Sequence, residues 1–188
     1  LNDDEFTALG RTAVAFASLE NTLVRLSAVK FDVRVITTKA YVQSDVQRAV
    51  TSNFARLLNN AVQKLEELNP IEEVQNYINE YLKPSTDEYG RKLACPLIRW
   101  RNTLVHGAYS RLDNGNLFID FHDRFSFESI KGKDDLIHGG LSVQTNANEL
   151  NKLAFSITEF TIYLLKSFNV AETFGLELLW PSQLPERR

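Results

Sequence analysis

The sequence predicts an all-α fold, an up-and-down bundle of four to five helices with a β-hairpin insert between the last two long helices. Three observations lead there. Apolar residues recur every three or four positions through most of the chain, residues that cap or open helices stand at the starts of those stretches, and the period turns to simple alternation only after residue 107.

The first helix spans residues 3 to 30, with Phe6, Leu9, Ala13, Phe16, Leu19, Leu23 and Leu26 on one stripe. A second starts after Ser44, whose hydroxyl can cap while Gln47 reaches back, and carries Val46, Val50, Phe54, Leu57, Leu58, Ala61 and Leu65 to about Leu68. Asn69 and Pro70 break it. Pro70 suits the first turn of a short third helix, with Ile71, Val74, Ile78 and Leu82 facing inward and Glu72 and Glu73 where the macrodipole favours acids; Pro84 ends it.

The fourth helix opens on Ser85, Thr86, Asp87 and Glu88 and buries Leu93, Leu97, Trp100 and Leu104. Pro96 removes a backbone donor, so a kink or a restart is expected near Cys95. Gly107 is expected to stop this helix in the left-handed conformation. AYSRL and LFIDF then alternate around the Asn114-Gly115 turn as a hairpin, and residues 123 to 142 read as a loop with a further short strand. A last long helix begins near Asn146, paired with Glu149, and its stripe is Leu150, Leu153, Ile157, Phe160, Leu164 and Phe168. All of this reads as one domain over residues 1–188, with a hairpin and loop insert at 108–143 and a tail at 169–188 whose role the sequence leaves open.

Composition narrows the function. A formal net charge of -3 argues against a protein that coats nucleic acid or anionic membrane by bulk charge, so any phosphate binding must be local. The single cysteine, Cys95, cannot form an intramolecular disulfide, and flanked by Ala94 and Pro96 it reads as a buried small residue. No apolar run reaches the ~20 residues of a membrane span and no signal segment opens the chain, so a cytoplasmic location without membrane contact is expected. The sequence holds no Met, so it is expected to lack its first residues.

The candidate chemistry sits in RWRNTLVHG, residues 99 to 107. No acid falls between Glu88 and Asp113, whereas Arg91, Lys92, Arg99, Arg101 and Arg111 do, making one positive island in an acidic chain. At roughly 100° per residue, Arg99, Asn102 and His106 share a stripe, and Arg101 stands about 140° round from His106. Two readings are open. Cations finish many helices because the macrodipole favours them, and a terminal histidine is often a cap. Alternatively, a proton-moving imidazole beside arginine forks suits RNA cleavage, where the substrate brings its own 2′-hydroxyl and no metal or cofactor is needed. One stripe offers one histidine, while in-line displacement needs a base and an acid; a two-fold dimer supplies both. His106, His122 and His138 lack the local spacing of zinc ligands, so no metal is expected.

RNTLVH followed by Gly107 resembles the signature of the HEPN superfamily, and VAFASLENTLVRL looks like the opening helix of those domains. The likeness covers residues 3 to 106 and 146 to 168. It implies a helical bundle and a metal-independent endoribonuclease acting on RNA as a homodimer whose cleft joins two copies of the motif. Such proteins are often toxins or defence proteins paired with an antitoxin. Arg101 and His106 would then be catalytic and Asn102 would orient them. Arg99, Arg111 and Tyr109, close by in the sequence, are the candidate substrate-binding residues. Members controlled by a nucleotidyltransferase antitoxin tend to carry Tyr two residues after the histidine; here Ala108 stands there and Tyr109 follows. The alternative function is a non-catalytic HEPN-like module that binds a nucleotide or a protein.

Overall fold

A computed structural model describes residues 1–28, 51–86, 92–122 and 140–168. Helix α1 runs Asp3–Ala28 and opens on a reciprocal cap, Asn2 Oδ1 accepting from the Glu5 amide at 2.8 Å and Glu5 Oε2 from the Asn2 amide at 2.8 Å. Phe16, Leu19, Leu23 and Leu26 are buried as expected. Toward the N-terminus the buried face is instead Glu5, Ala8, Thr12 and Ala15, so Phe6 and Ala13 are exposed and Leu9 is half-buried. The packing partner decides this: the Thr12 hydroxyl lies 2.8 Å from the Ala8 carbonyl and 3.1 Å from that of Leu150 on the last helix.

Helix α2 is Phe54–Glu67, shorter than expected. Its start is local chemistry. Asn53 is extended and its Oδ1 accepts from the Arg56 amide at 2.9 Å, which begins a new helix where the sequence suggested a continuous one; the proposed start after Ser44 lies outside the described residues. Asn69, at φ 51°, turns the chain left-handed after α2, ahead of Pro70. Helix α3, Glu72–Tyr77, starts after Ile71 and passes into a π-helical turn, Ile78–Leu82. Ile78 and Leu82 are buried, but Ile71 is exposed, being the cap rather than a helical position.

Ser85 and Thr86 do not open a helix. They form β1, Ser85–Thr86, antiparallel to β2, Lys92–Leu93, because Pro84 holds the preceding Lys83 extended and the chain leaves the π turn in that conformation. Helix α4 is Pro96–His106, the expected restart after Cys95, with Pro96 at the first position where its missing N–H costs nothing. Gly107 follows at φ -76° and ψ 155°, extended rather than left-handed.

Strands β3, Ala108–Arg111, and β4, Leu117–His122, form the expected hairpin with Gly115 at φ 82°, and β5, Gly140–Thr145, pairs antiparallel with β4 to complete a sheet of order β3-β4-β5. Helix α5, Ala147–Ser167, is capped by Asn146, whose Oδ1 accepts from the Glu149 amide at 3.0 Å, and buries all of its expected stripe.

The all-α expectation is therefore overturned: the chain is mostly helical but carries a three-stranded antiparallel sheet, a mixed α/β architecture. The sheet is a layer of the fold, since Leu117 and Ile119 of β4 are fully buried against Ala8 and Leu150. A larger core joins α1, α2, the π turn, α4 and α5, and Trp100 and Leu104 pack against both clusters. Helix α4, which carries the motif, thus stands where the helical core meets the sheet. No helix among the described residues is long and apolar enough to cross a membrane.

Candidate functional site

Leu97, Ile98 and Thr103 anchor α4 in the core, which leaves its other residues to face two separate surfaces. Arg101, Leu104 and Val105 face α1 across a groove of about 470 Å³ that Phe6, Leu9, Ala13, Glu20 and Tyr109 also line. Arg99, Trp100 and Thr103 face the sheet across a smaller cleft of about 160 Å³ that Pro96 and Val143 complete.

Within the first groove the Arg101 guanidinium lies 3.7 Å from Glu20 Oε2, 3.4 Å from Asn102 Oδ1, and over the Phe54 ring at 5.8 Å. Its charge is partly spent on those contacts. Tyr109 donates its hydroxyl to the Leu104 carbonyl, satisfying one of the orphan acceptors of the last helical turn, and burial pushes that hydroxyl's pKa up. Its ring remains part of the groove wall.

His106 is the exposed last residue of α4, and its ring stacks on Phe121 of β4 with centroids 6.2 Å apart. Among the described residues no hydrogen bond or ion pair joins it to Arg101, and helical geometry sets the two about 140° apart. The structure therefore brings Arg101 together with Asn102 and Tyr109, and keeps His106 on the other side of the same helix.

Arg111 is held by a residue far away in sequence. Its Nη2 lies 2.7 Å from Oε1 of Glu5, a carboxylate 4% exposed, and the guanidinium holds that carboxyl's pKa below its ordinary value of 4.5. Arg111 thus clamps β3 to the start of α1. The positive island is divided accordingly: Arg101 answers Glu20, Arg111 answers Glu5, and Arg91 lies outside the described residues. Arg99 differs, because its Nε is buried and has no hydrogen-bond partner among the described residues.

Sequence reasoning missed Glu5, Glu20, Phe54 and Phe121. Phe54 was legible as an apolar stripe position, Phe121 as a strand position and Glu5 as half of an Asn2–Glu5 capping box, but none of these signals points to Arg101, His106 or Arg111. Gly107 was found, but for another reason. A Cβ there would come 2.4 Å from the Thr103 carbonyl oxygen and 2.5 Å from Ile119 Cγ2, so glycine is required because the last turn of α4 and the passing β4 both crowd the position. Cys95 is buried and its thiol pKa is raised by that burial, which keeps it protonated and a poor nucleophile. His122 ends β4, and His138 lies outside the described residues. Among the described residues no group of three or more His, Cys, Asp or Glu side chains is placed to hold a metal ion. Comparison with known families, characterised proteins and solved structures finds no significant match.

Proposed function

We propose that this protein is a metal-independent endoribonuclease of HEPN type, working as a cytoplasmic homodimer. The observation that carries the reading is the exposure of His106 at the end of α4, a helix whose other side presents Arg101 in an ion pair with Glu20 that is long and partly solvated. A surface pair of that kind contributes about 0–1 kcal/mol, so an RNA phosphate can displace Glu20 from Arg101. Cleavage would form the bond from the 2′-oxygen to phosphorus and break the bond to the 5′-oxygen, leaving a 2′,3′-cyclic phosphate and a 5′-hydroxyl. One imidazole removes the proton from the 2′-hydroxyl, a second returns one to the leaving oxygen, and arginine stabilises the charge that builds on phosphorus.

Because Arg101 and His106 face apart within one protomer, the reading needs a second copy. An apolar surface is present for it. Phe6, 60% exposed, and Val105, 57% exposed, line the groove between α1 and α4, which also carries a cation, Arg101, and an anion, Glu20, that a two-fold contact could exchange between copies. An antitoxin, a nucleotidyltransferase among the candidates, belongs to the same proposal.

Purified protein incubated with mixed RNA in EDTA should yield 2′,3′-cyclic phosphate ends. His106→Ala should abolish them with little loss of stability, and Arg101→Lys should depress them by removing the fork while keeping the charge. Mixing an excess of His106→Ala protein into the parent should inactivate the parent's sites, because a site built from two copies then holds one imidazole instead of two, whereas a self-sufficient protomer would lose nothing. The second reading, a non-catalytic module, draws support from the engagement of Arg101 and Arg111 by Glu20 and Glu5. RNA bound but left intact would decide for it.

A further inference from the structure

Strand β3 pairs with β4 on one side, and among the described residues no strand pairs with its other side. All four of its residues are exposed, so that free edge is open to solvent. The hairpin sets which backbone groups stand along it. One step beyond the pair of Arg111 and Leu117, Leu112 donates its amide to the carbonyl of Asn116, directly opposite, at 2.9 Å. In an antiparallel ladder such bonded pairs alternate with unbonded ones, so Ser110 and Ala108 bond to Phe118 and Asp120. Tyr109 and Arg111 therefore turn their N–H and C=O groups away from β4, and no other hydrogen bond meets those groups among the described residues. Edge strands are commonly guarded by lysine, proline or a bulge, and β3 has none of the three.

Donors and acceptors alternating along an extended edge are met by another extended backbone. The side chains on that edge narrow which one. Tyr109 stands opposite Ile119 and Arg111 opposite Leu117, both fully buried, so their side chains share the inner face of the sheet. A residue paired with Tyr109 across the free edge would point the same way, toward the groove that Tyr109 lines with Phe6 and Leu9, and an apolar side chain fits there. A residue paired with Arg111 would meet a guanidinium whose side chain is 45% exposed and which engages Glu5 through Nη2, leaving N–H groups for a further carboxylate to share. We propose that the free edge of β3 binds an extended segment of a partner protein as an antiparallel fourth strand, one whose sequence runs acid, any residue, apolar residue. In that direction the acid faces Arg111 and the apolar residue faces Tyr109. A second copy fits less well: two β3 strands paired about a two-fold axis at Ser110 would set Arg111 against the tyrosine of the other copy and offer it no carboxylate. The proposal concerns a protein partner and holds whether or not the protein cleaves RNA.

The test titrates isotope-labelled protein with the capped peptide Lys-Thr-Glu-Thr-Leu-Thr-Lys and follows each backbone amide by magnetic resonance and hydrogen exchange. The amides of Tyr109 and Arg111 should shift to saturation and, at saturating peptide, exchange roughly tenfold or more slowly, whereas those of Ala108 and Ser110, already bonded to β4, should change little. N-methylation at the peptide's Glu or Leu removes a donor that meets β3 and should weaken binding roughly tenfold. The same change at the Thr between them, whose N–H points away from β3, should leave binding intact. Exchange of the peptide's Glu for Lys should weaken binding severalfold. Every comparison uses the parent protein, so none depends on a variant's folding. Unmoved Tyr109 and Arg111 amides, equal binding of the differently N-methylated peptides, or indifference to the change from Glu to Lys would each overturn the proposal. Protection of these two amides in the free protein that rises with protein concentration would overturn it as well, by giving the edge to a second copy.

Discussion

Replacing Gly107 by alanine separates steric from conformational reasons for a glycine. At φ -76° alanine is conformationally at ease, and by restricting the unfolded chain it would on that account alone stabilise the protein by about 0.4–1 kcal/mol. Against this, its Cβ would sit 2.4 Å from the Thr103 carbonyl oxygen and 2.5 Å from Ile119 Cγ2. Overpacking of that kind costs about 1–3 kcal/mol, and the upper half applies because the oxygen belongs to a helical backbone that cannot swing aside. The net expectation is a loss of about 1–2.6 kcal/mol, or roughly 2–10 °C in melting temperature for a chain of this size. Moving β4 away from α4 relieves only the contact with Ile119 and loosens the stack of His106 on Phe121, while the contact with Thr103 lies within α4 and is relieved only by opening its last turn, so any RNA cleavage falls along with stability. Thermal and urea unfolding of the variant beside Gly10→Ala makes the comparison sharp. Gly10 lies inside α1, and a methyl group added there would meet no atom within 4 Å, so alanine should stabilise by about 0.5–1 kcal/mol. A Gly107→Ala protein as stable as the parent would refute the close contacts with Thr103 and Ile119 and with them the steric account.

Three further outcomes are expected. Asn53→Ala and Asn146→Ala each remove a side-chain cap and should each cost about 1 kcal/mol in urea unfolding; no loss at Asn53 would mean that α2 is not begun there. Because Arg111 lowers the Glu5 pKa in the folded state, the carboxylate's contribution is full above pH 4.5, its ordinary value, and is lost as pH falls through the lowered one. Stability curves of Glu5→Gln and parent protein should thus stand apart at neutral pH and converge in acid, and a constant gap down to about pH 3 would contradict the pairing. Val105→Asp, on an exposed position beside His106, should yield a folded monomer without RNA cleavage that melts below the dimeric parent and independently of protein concentration; light scattering that still reports a dimer would place the interface elsewhere.

The readable parts of this protein are those whose cause is local. The buried stripe of α5 from Leu150 to Phe168, the Asn146 cap, the restart at Pro96 and the Asn114-Gly115 hairpin all follow from spacing or residue type within a few positions. RWRNTLVHG was legible as a helix end with a positive island for the same reason. What failed depended on neighbours. Whether the N-terminal half of α1 buries Phe6 and Ala13 or Ala8 and Thr12 is a choice between two apolar stripes, and α5 makes it by arriving on the second. Ser85 and Thr86 have good capping side chains, but pairing with Lys92 and Leu93 outweighs that local preference.

By itself, then, the chain determines where helices run, where they stop and that α4 ends in a histidine, because periodicity and capping act over one or two turns. Tertiary structure alone decides that the hairpin becomes part of a three-stranded sheet packed into the core, since β5 arrives from beyond residue 139 to cover β4. It also decides which arginines are left to act. Glu5 and Glu20, on the first helix, take Arg111 and Arg101 as partners and leave Arg99 unpaired among the described residues, and charges so far apart in the chain meet only when α1 packs beside α4 and β3.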